Sequence, residues 1–516
     1  MNEKKKATRA AGVIGMATLL SRILGFARDM IIAWFFGAGK LSDAFFVAFR
    51  IPNLLRRLFA EGTLSMAFVP VFTEYLSRSG KTEAYALARS AARMLSVILV
   101  VLTIAGILAA PWIVKVVAPG FGGDKFALTV ALTRVMFPYI LCICLVALFM
   151  GILNALGHFA APALAPVLLN LAMIGAVLFI SPHLKTPVMG LAVGVLLGGI
   201  LQVALQMPFL LKKGIKIWQK SPLLHPGLVK IAWLMGPAVF GAAVYQVNIL
   251  VGTLLASLLP EGSVSYLYYA DRVVQFPLGI FAISMSVAVL PGLSRQAAAR
   301  DMNALADTFA YSMNLVFFIT IPAMAGLIVL REPIVGLLFH RGAFDAASLG
   351  ATAYALFHYS VGLWAFSAVR IVVSTFYALQ DTKTPVKMAT LAIIANIGLG
   401  ITLMGPLSHG GLALATSLAS MINFILLACA LHRRIGGLHW KKIIVSTGKT
   451  VVNSFIMAAT LAIWISWYSM DPAGSVWHLL GGLSAAIAAG IALYCTLAWA
   501  FQRNILYDLI SMVKRN

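Results

Sequence analysis

Acidic side chains are scarce in this chain. Sixteen Asp and Glu stand against 39 Lys and Arg over 516 residues, and charged residues together make up only 11%. A soluble domain carries about 25%, so this value excludes an ordinary water-soluble enzyme. Long polar stretches are missing as well, which leaves no room for a soluble catalytic domain between the apolar runs. Cysteine is rare: Cys142, Cys144, Cys429 and Cys495 all sit in apolar runs without zinc or redox spacing, and they are read as packing residues. No GxxxxGKS/T motif is present, so ATP hydrolysis by a phosphate-binding loop is not expected. No metal ion or cofactor is expected either.

What is there instead is membrane. Hydrophobic residues make up 61% and the mean hydropathy is +0.95. Apolar stretches of about 20 residues, the length that crosses hydrocarbon, recur from end to end. The expected fold is all-α and polytopic, with about fourteen transmembrane helices over residues 11–37, 42–76, 85–118, 126–155, 162–182, 187–212, 226–257, 264–296, 302–331, 346–379, 384–406, 409–433, 447–470 and 475–502. The basic start MNEKKKATRAAG looks like a signal-peptide n-region. The apolar part that follows is long and holds arginines, so it is read as a retained first helix.

Alternate loops differ in charge. One set is basic, including KKGIKIWQKSPLLHPGLVK and HRRIGGLHWKK; the other is nearly bare, as in GAGKLS, APGFGGDK and MDPAGS, with REPIVGLLFHRGAFD carrying both signs. The positive-inside rule assigns the basic set and both termini to the cytoplasm. Much of the formal charge of +23 is then topological, and no nucleic-acid partner is expected.

The chain also repeats itself weakly. AFVPVFTEYLSRSGKTEA resembles AVLPGLSRQAAARDMNAL, matching Pro70 with Pro291, and GILNALGHFAAP resembles VSTFYALQDTKTP, matching Pro162 with Pro385. About six helices separate matched points, so both copies face the same way, as parallel repeats do. The expected division is a six-helix lobe over 1–220, a second over 221–440, and two further helices over 441–516. Two lobes around a midplane cavity are a transporter's plan.

Charge inside such helices is costly and marks function. The first helix carries Ser21, Arg22, Arg28 and Asp29. Arg22 and Asp29 are seven apart and share a face, while Arg28 lies about 120° from Arg22 at 100° per residue. Gly25 between them allows a bend that would bring both arginines to one cavity. In the second segment Asp43, Arg50, Arg57 and Glu61 form one stripe with Arg56 off it, although Pro52 interrupts the projection. Arg57 and Glu61 are read as an i,i+4 pair. In the eighth segment Asp271 and Arg272 are adjacent, Gln275 follows one turn later, and Ser265, Tyr268 and Tyr269 precede them. Arg93, Arg134, His358 and Arg370 are read as structural contacts or interfacial anchors. Guanidinium stays charged and offers a planar fork of donors suited to phosphate, so the arginine excess points to an anionic cargo, a phosphate or pyrophosphate.

The stretches SRILGFARD, DAFFVAFRIPNLLRRLFAEGTLSMAFVPVF and YYADRVVQFPLGIF resemble the MurJ (MviN) family, the lipid II flippases of bacterial peptidoglycan synthesis, within the multidrug/oligosaccharidyl-lipid/polysaccharide exporter superfamily. The resemblance extends over essentially the whole chain. It implies two bundles around a cationic cavity, with the last two helices forming a groove for a lipid tail. It implies a transporter rather than an enzyme, located in the bacterial cytoplasmic (inner) membrane and serving cell-wall biogenesis and cell shape. The implied cargo is lipid II, an undecaprenyl-pyrophosphate-linked disaccharide-pentapeptide, handled among membrane lipids. The family's essential arginines fall on Arg22, Arg28, Arg56 and Arg272, and its important acids on Asp29 and Asp43. Ser21, Ser265, Asp271 and Gln275 are the supporting neighbours. Some relatives have glutamate where Gln275 stands, and some bind sodium through an acid on the seventh helix, where this chain offers Gln246 and Asn248, so no ion is assigned. A flippase for another polyprenyl-linked oligosaccharide, a multidrug or cation antiporter of the same superfamily, and a lipid-linked sugar polymerase are the alternatives.

Overall fold

In the bilayer core no water is present to satisfy backbone N–H and C=O groups, so spanning segments close their hydrogen bonds internally as helices. The computed structural model of the chain, which describes residues 3–59, 64–219, 221–468, 470 and 474–515, has helices and no strand among those residues. It divides into two compact units, residues 1–264 and 265–516.

The first unit holds α1 (Glu3–Phe36), α2 (Lys40–Phe59), α3 (Ser65–Arg78), α4 (Gly80–Val117), α5 (Gly123–Met136), α6 (Tyr139–Ala155), α7 (Ala160–Gly175), α8 (Val188–Lys212) and α9 (Pro226–Ser257). A π-helical turn at Ala176–Ile180 extends α7. Helix α7 is sandwiched between α1 and α8, α2 packs on α5, and α9 packs on α2, α3 and α4. The α7–α8 approach is close because α8 presents Gly194 and Gly198 one turn apart: a Cβ on Gly194 would lie 2.5 Å from the Ala176 Cβ, and one on Gly198 would lie 2.6 Å from the Leu169 side chain. Small residues four apart let membrane helices gain dispersion contacts that larger side chains prevent.

The second unit begins within α10 (Ser263–Pro277) and continues through α11 (Ile283–Ala298), α12 (Met302–Val329), α13 (Arg331–Phe339), α14 (Ala346–Ser360), α15 (Leu363–Ala378), α16 (Lys383–Ile435), α17 (Trp440–Tyr468), α18 (Val476–Phe501) and α19 (Arg503–Arg515). Its core centres on α12. Phe309, Met313 and Phe317 pack with Ile371, Phe376, Leu427 and Leu431. Phe318 meets Leu461, Leu483 and Tyr494, which docks α17 and α18 onto the same helix. The Tyr494 hydroxyl donates to the Phe318 carbonyl at 2.8 Å, satisfying a polar atom that would otherwise be stranded.

The chain is a multi-pass membrane protein. Nine described helical segments are long and apolar enough to cross a membrane, and ten if α14 and α15, bent by 42° at residues 361–362, are one broken span. One of the nine, α16, is 53 residues long and breaks at Ser408 (φ 50°, ψ −135°), where the sequence separates 384–406 from 409–433. The expected 126–155 segment is α5 plus α6, interrupted at Phe137 and Pro138. The count of fourteen is not reached by these segments and stays a proposal, as does the three-part division; α9 packs within the first unit.

Candidate functional site

Charged residues inside apolar helices survive only where partners replace water, so the site is best read through those partners. On α1, Arg28 is 6% exposed and Asp29 is fully buried. Arg28 Nε and Nη2 donate to Asp29 Oδ1 at 3.0 and 2.7 Å. Its Nη1 donates to Asn170 Oδ1 on α7 at 3.0 Å, and Asn170 Nδ2 donates to the Ser21 carbonyl at 3.1 Å. Ser21, Arg28 and Asp29 are thus brought together around an amide that periodicity did not flag. Arg22 is not brought to them: it is exposed while Arg28 turns inward, as the 120° separation on a helical wheel implies.

On α2, Asp43 is 1% exposed. Its Oδ2 accepts from Lys125 Nζ at 2.7 Å and from the Gly262 N–H at 2.8 Å. The Lys125 ammonium also sits 4.1 Å from the centroid of the Phe121 ring. The Lys40 N–H donates to Glu261 Oε1 at 2.7 Å, so the first turn of α2 is tied twice to the turn that follows α9. Two turns further along, Arg50 Nη1 donates to the Thr253 hydroxyl of α9. Arg56 is half-buried and its Nε donates to Asn53 Oδ1 at 2.7 Å. The expected Arg57–Glu61 pair reaches outside the described residues, because Glu61 is not among them.

In the second unit Arg272 lies half-buried on α10. Its Nη2 donates to the Tyr268 hydroxyl at 3.1 Å, and its guanidinium carbon stands 5.3 Å from the centre of the same ring. A ring face and a phenolic oxygen both attract a cation. The Gln275 amide donates to Asp271 one turn earlier, and Ser265 is fully buried. Tyr269, between them, packs on Phe339 and Phe344, with ring centroids 5.0 and 5.6 Å away.

Three of the residues expected to be structural make structural contacts. Arg93 donates to the Ser221 carbonyl, Arg134 Nε to the Ile107 carbonyl at 3.3 Å, and His358 Nδ1 lies 2.9 Å from the Tyr354 carbonyl. Among the described residues no three His, Cys, Asp or Glu side chains come together as a metal site. Sequence reasoning missed Asn170, Lys125 and Thr253. Signals existed for two of them: Asn170 is the one polar side chain in α7, and Lys125 follows Asp124 at the end of a nearly bare stretch and stands in the first turn of α5.

The arrangement binds and orients charge and offers fixed cationic groups with few acids. A family model described as "Lipid II flippase MurJ" matches residues 32–481. A "Probable lipid II flippase MurJ" of Vibrio cholerae serotype O1 is 38% identical over 502 residues, covering 94% of this chain and 95% of that relative. A "Lipid II flippase MurJ" of Burkholderia cenocepacia is 38% identical over 437 residues, covering 83% and 84%. Among solved structures, one titled "Lipid II flippase MurJ, inward closed conformation" superposes with a TM-score of 0.80 at 29% identity, covering 96% of this chain and 99% of the other. An inward-facing multidrug-resistance transporter of the MATE family shares the fold alone, with a TM-score of 0.70 at 18% identity over 81% of this chain and 95% of the other.

Proposed function

The chain belongs to the lipid II flippase MurJ family, and on that footing we propose that it carries lipid II from the cytoplasmic to the outer leaflet of the bacterial inner membrane by alternating access. The observation that carries the reading is the match of residues 32–481 to the lipid II flippase family, together with a relative named as a probable lipid II flippase that covers 94% of this chain. The polar, charged head group of lipid II does not cross hydrocarbon unaided at a useful rate. Arg22, Arg28 and Arg56 in the first unit and Arg272 in the second are the cations offered to its pyrophosphate, whose oxygens match the guanidinium fork. Asp29 holds Arg28 in register while cargo is absent, and Asp43 holds the start of α2. Ser21, Ser265, Asp271 and Gln275 support these groups. The step is transport: no bond of the cargo is made or broken, and the protein is not an enzyme.

In the same reading residues 1–220 and 221–440 are the two lobes that rock, the helices over 441–516 guide the prenyl tail, and both termini are cytoplasmic. The parallel repeats and the basic alternate loops support this. The test is depletion of the protein in cells without a second flippase, with lipid II on the outer face measured after rescue by wild type, Arg28→Ala or Arg272→Ala at equal insertion. Rescue by wild type alone is expected. Normal lipid II exposure after depletion would mean the cargo is something else.

A further inference from the structure

Helix α7 reads AAPALAPVLLNLAMIG, and Asn170 is its one polar side chain. A carboxamide within a spanning helix is retained only when both of its ends find partners. Asn170 is 6% exposed. Its oxygen accepts from Arg28 Nη1 at 3.0 Å, and its nitrogen donates to the Ser21 carbonyl at 3.1 Å. These two groups of α1 are seven residues, two helical turns, apart. Gly25 lies between them, and a Cβ there would come within 3.6 Å of the Asn170 amide nitrogen, so the amide lies directly against the glycine face of α1.

We propose that Asn170 is a positioning residue that presents the arginines of α1 to the cargo, an inference that rests on the flippase reading. Two fixed edges define the guanidinium plane: Asp29 takes Nε and Nη2, and Asn170 takes Nη1. The Ser21 carbonyl belongs to the peptide bond that leads into Arg22, so the same amide anchors the backbone at the second arginine. An amide suits this place better than a carboxylate. Asp29 already balances Arg28, and a second carboxylate would make the cluster net negative and repel an anionic cargo.

The experiment compares full-length wild type, Asn170→Leu and Asn170→Asp in lipid nanodiscs. Hydrogen exchange of α1 is measured without cargo, and fluorescent lipid II supplies half-saturation and maximal transport after transfer to vesicles. Leucine is nearly isosteric and suits an apolar helix, so a packing role predicts wild-type behaviour. The positioning role predicts faster exchange around residues 21–29 and a roughly tenfold higher half-saturating lipid II concentration, the scale of one hydrogen bond to a charged group. Maximal transport should fall much less. Asn170→Asp keeps the acceptor for Arg28 but loses the donor to Ser21, and it should bind lipid II at least as poorly as the leucine variant. Wild-type half-saturation in either variant overturns the proposal, and the aspartate variant serves alone if the leucine variant fails to fold. Faster α1 exchange in the leucine variant, with wild type itself binding no lipid II, overturns the flippase reading and leaves the clamp standing.

Discussion

Replacing Asp29 by asparagine isolates the buried ion pair of α1. The carboxylate is fully buried and Arg28 is 6% exposed, so little water is at hand to take over. Removing one partner of such a pair costs about 3–5 kcal/mol, because the remaining charge stays desolvated. Asn170 keeps one bond to the guanidinium, which places the expected loss at the low end, about 3 kcal/mol or roughly a hundredfold in the unfolding equilibrium at 1.4 kcal/mol per decade. Dodecyl sulfate titration in mixed micelles, followed by tryptophan fluorescence, reads this directly. The double variant Arg28→Leu/Asp29→Leu completes the test. Exchanging a whole buried pair for apolar residues is near neutral or stabilising, so the double variant should recover most of the stability yet fail to restore lipid II exposure. A single variant as stable as wild type would refute the pairing, and a double variant that transports normally would remove Arg28 from the cargo site.

Three further outcomes are expected. Tyr268→Phe keeps the ring under Arg272 but removes the hydroxyl; because the pair is half-exposed, about 1 kcal/mol or a fivefold higher half-saturating lipid II concentration is expected, and Tyr268→Leu should do worse in the same vesicle assay. Gly194→Leu cannot be accommodated against Ala176; overpacking by about 1–3 kcal/mol or more should cut the folded yield seen by size-exclusion chromatography, and a wild-type yield would contradict the close α7–α8 approach. Asp381, in the loop before α16, has its carboxyl held below the usual range by the Thr384 N–H, against an opposing push from burial, and further by the Thr384 hydroxyl and Arg434. A lowered folded-state pKa contributes stability that is whole above the unfolded value of about 3.9 and is lost as the pH falls through the folded one; Arg434→Ala should therefore raise the acid midpoint in a near-ultraviolet circular dichroism titration and leave stability at pH 7 to 8 with the same pH slope.

Helix type and many boundaries were legible in the sequence because twenty-residue apolar runs have few other solutions. The 187–212 and 475–502 segments correspond to α8 at Val188–Lys212 and α18 at Val476–Phe501. Breaks inside spans were less legible. The sequence did separate 384–406 from 409–433, where α16 leaves helical geometry at Ser408 (φ 50°, ψ −135°), but it ran 126–155 as one segment, which the structure interrupts at Phe137 and Pro138. The candidate site was legible as far as charge and spacing reach: Ser21, Arg28, Asp29, Asp43 and Arg272 all stand where a polar group in hydrocarbon demands explanation. Their partners were not. Lys125 meets Asp43 across 82 residues and Asn170 meets Arg28 across 142, and no periodicity along one helix encodes a contact between two. The wheel separated Arg22 from Arg28, and Arg22 is exposed while Arg28 is buried; it also put Arg22 on the face of Asp29, which the structure buries instead.

The same pairs bear on what drives transport. A proton- or cation-coupled carrier needs a carboxylate that can change its charge during the cycle. The two acids of the candidate site in the first unit are instead committed to cations: Asp29 accepts from Arg28 at 2.7 Å and Asp43 from Lys125 at 2.7 Å. In the second unit Gln275 titrates nothing. An anionic cargo, however, carries its own charge through the field. A potential negative inside favours its outward movement by roughly 2.3 kcal/mol per charge per 100 mV when the full field is crossed. Two charges would then contribute about 4.6 kcal/mol, more than a thousandfold in the equilibrium distribution. In vesicles holding this protein, collapsing the potential with valinomycin and potassium while keeping the pH gradient should stop net outward movement of lipid II, and nigericin, which removes only the pH gradient, should leave it intact. The reverse pattern would mean that one of these ion-paired carboxylates opens and takes up a proton in another conformation, and Asp29 and Asp43 would have to be reassigned from fixed counter-charges to carriers.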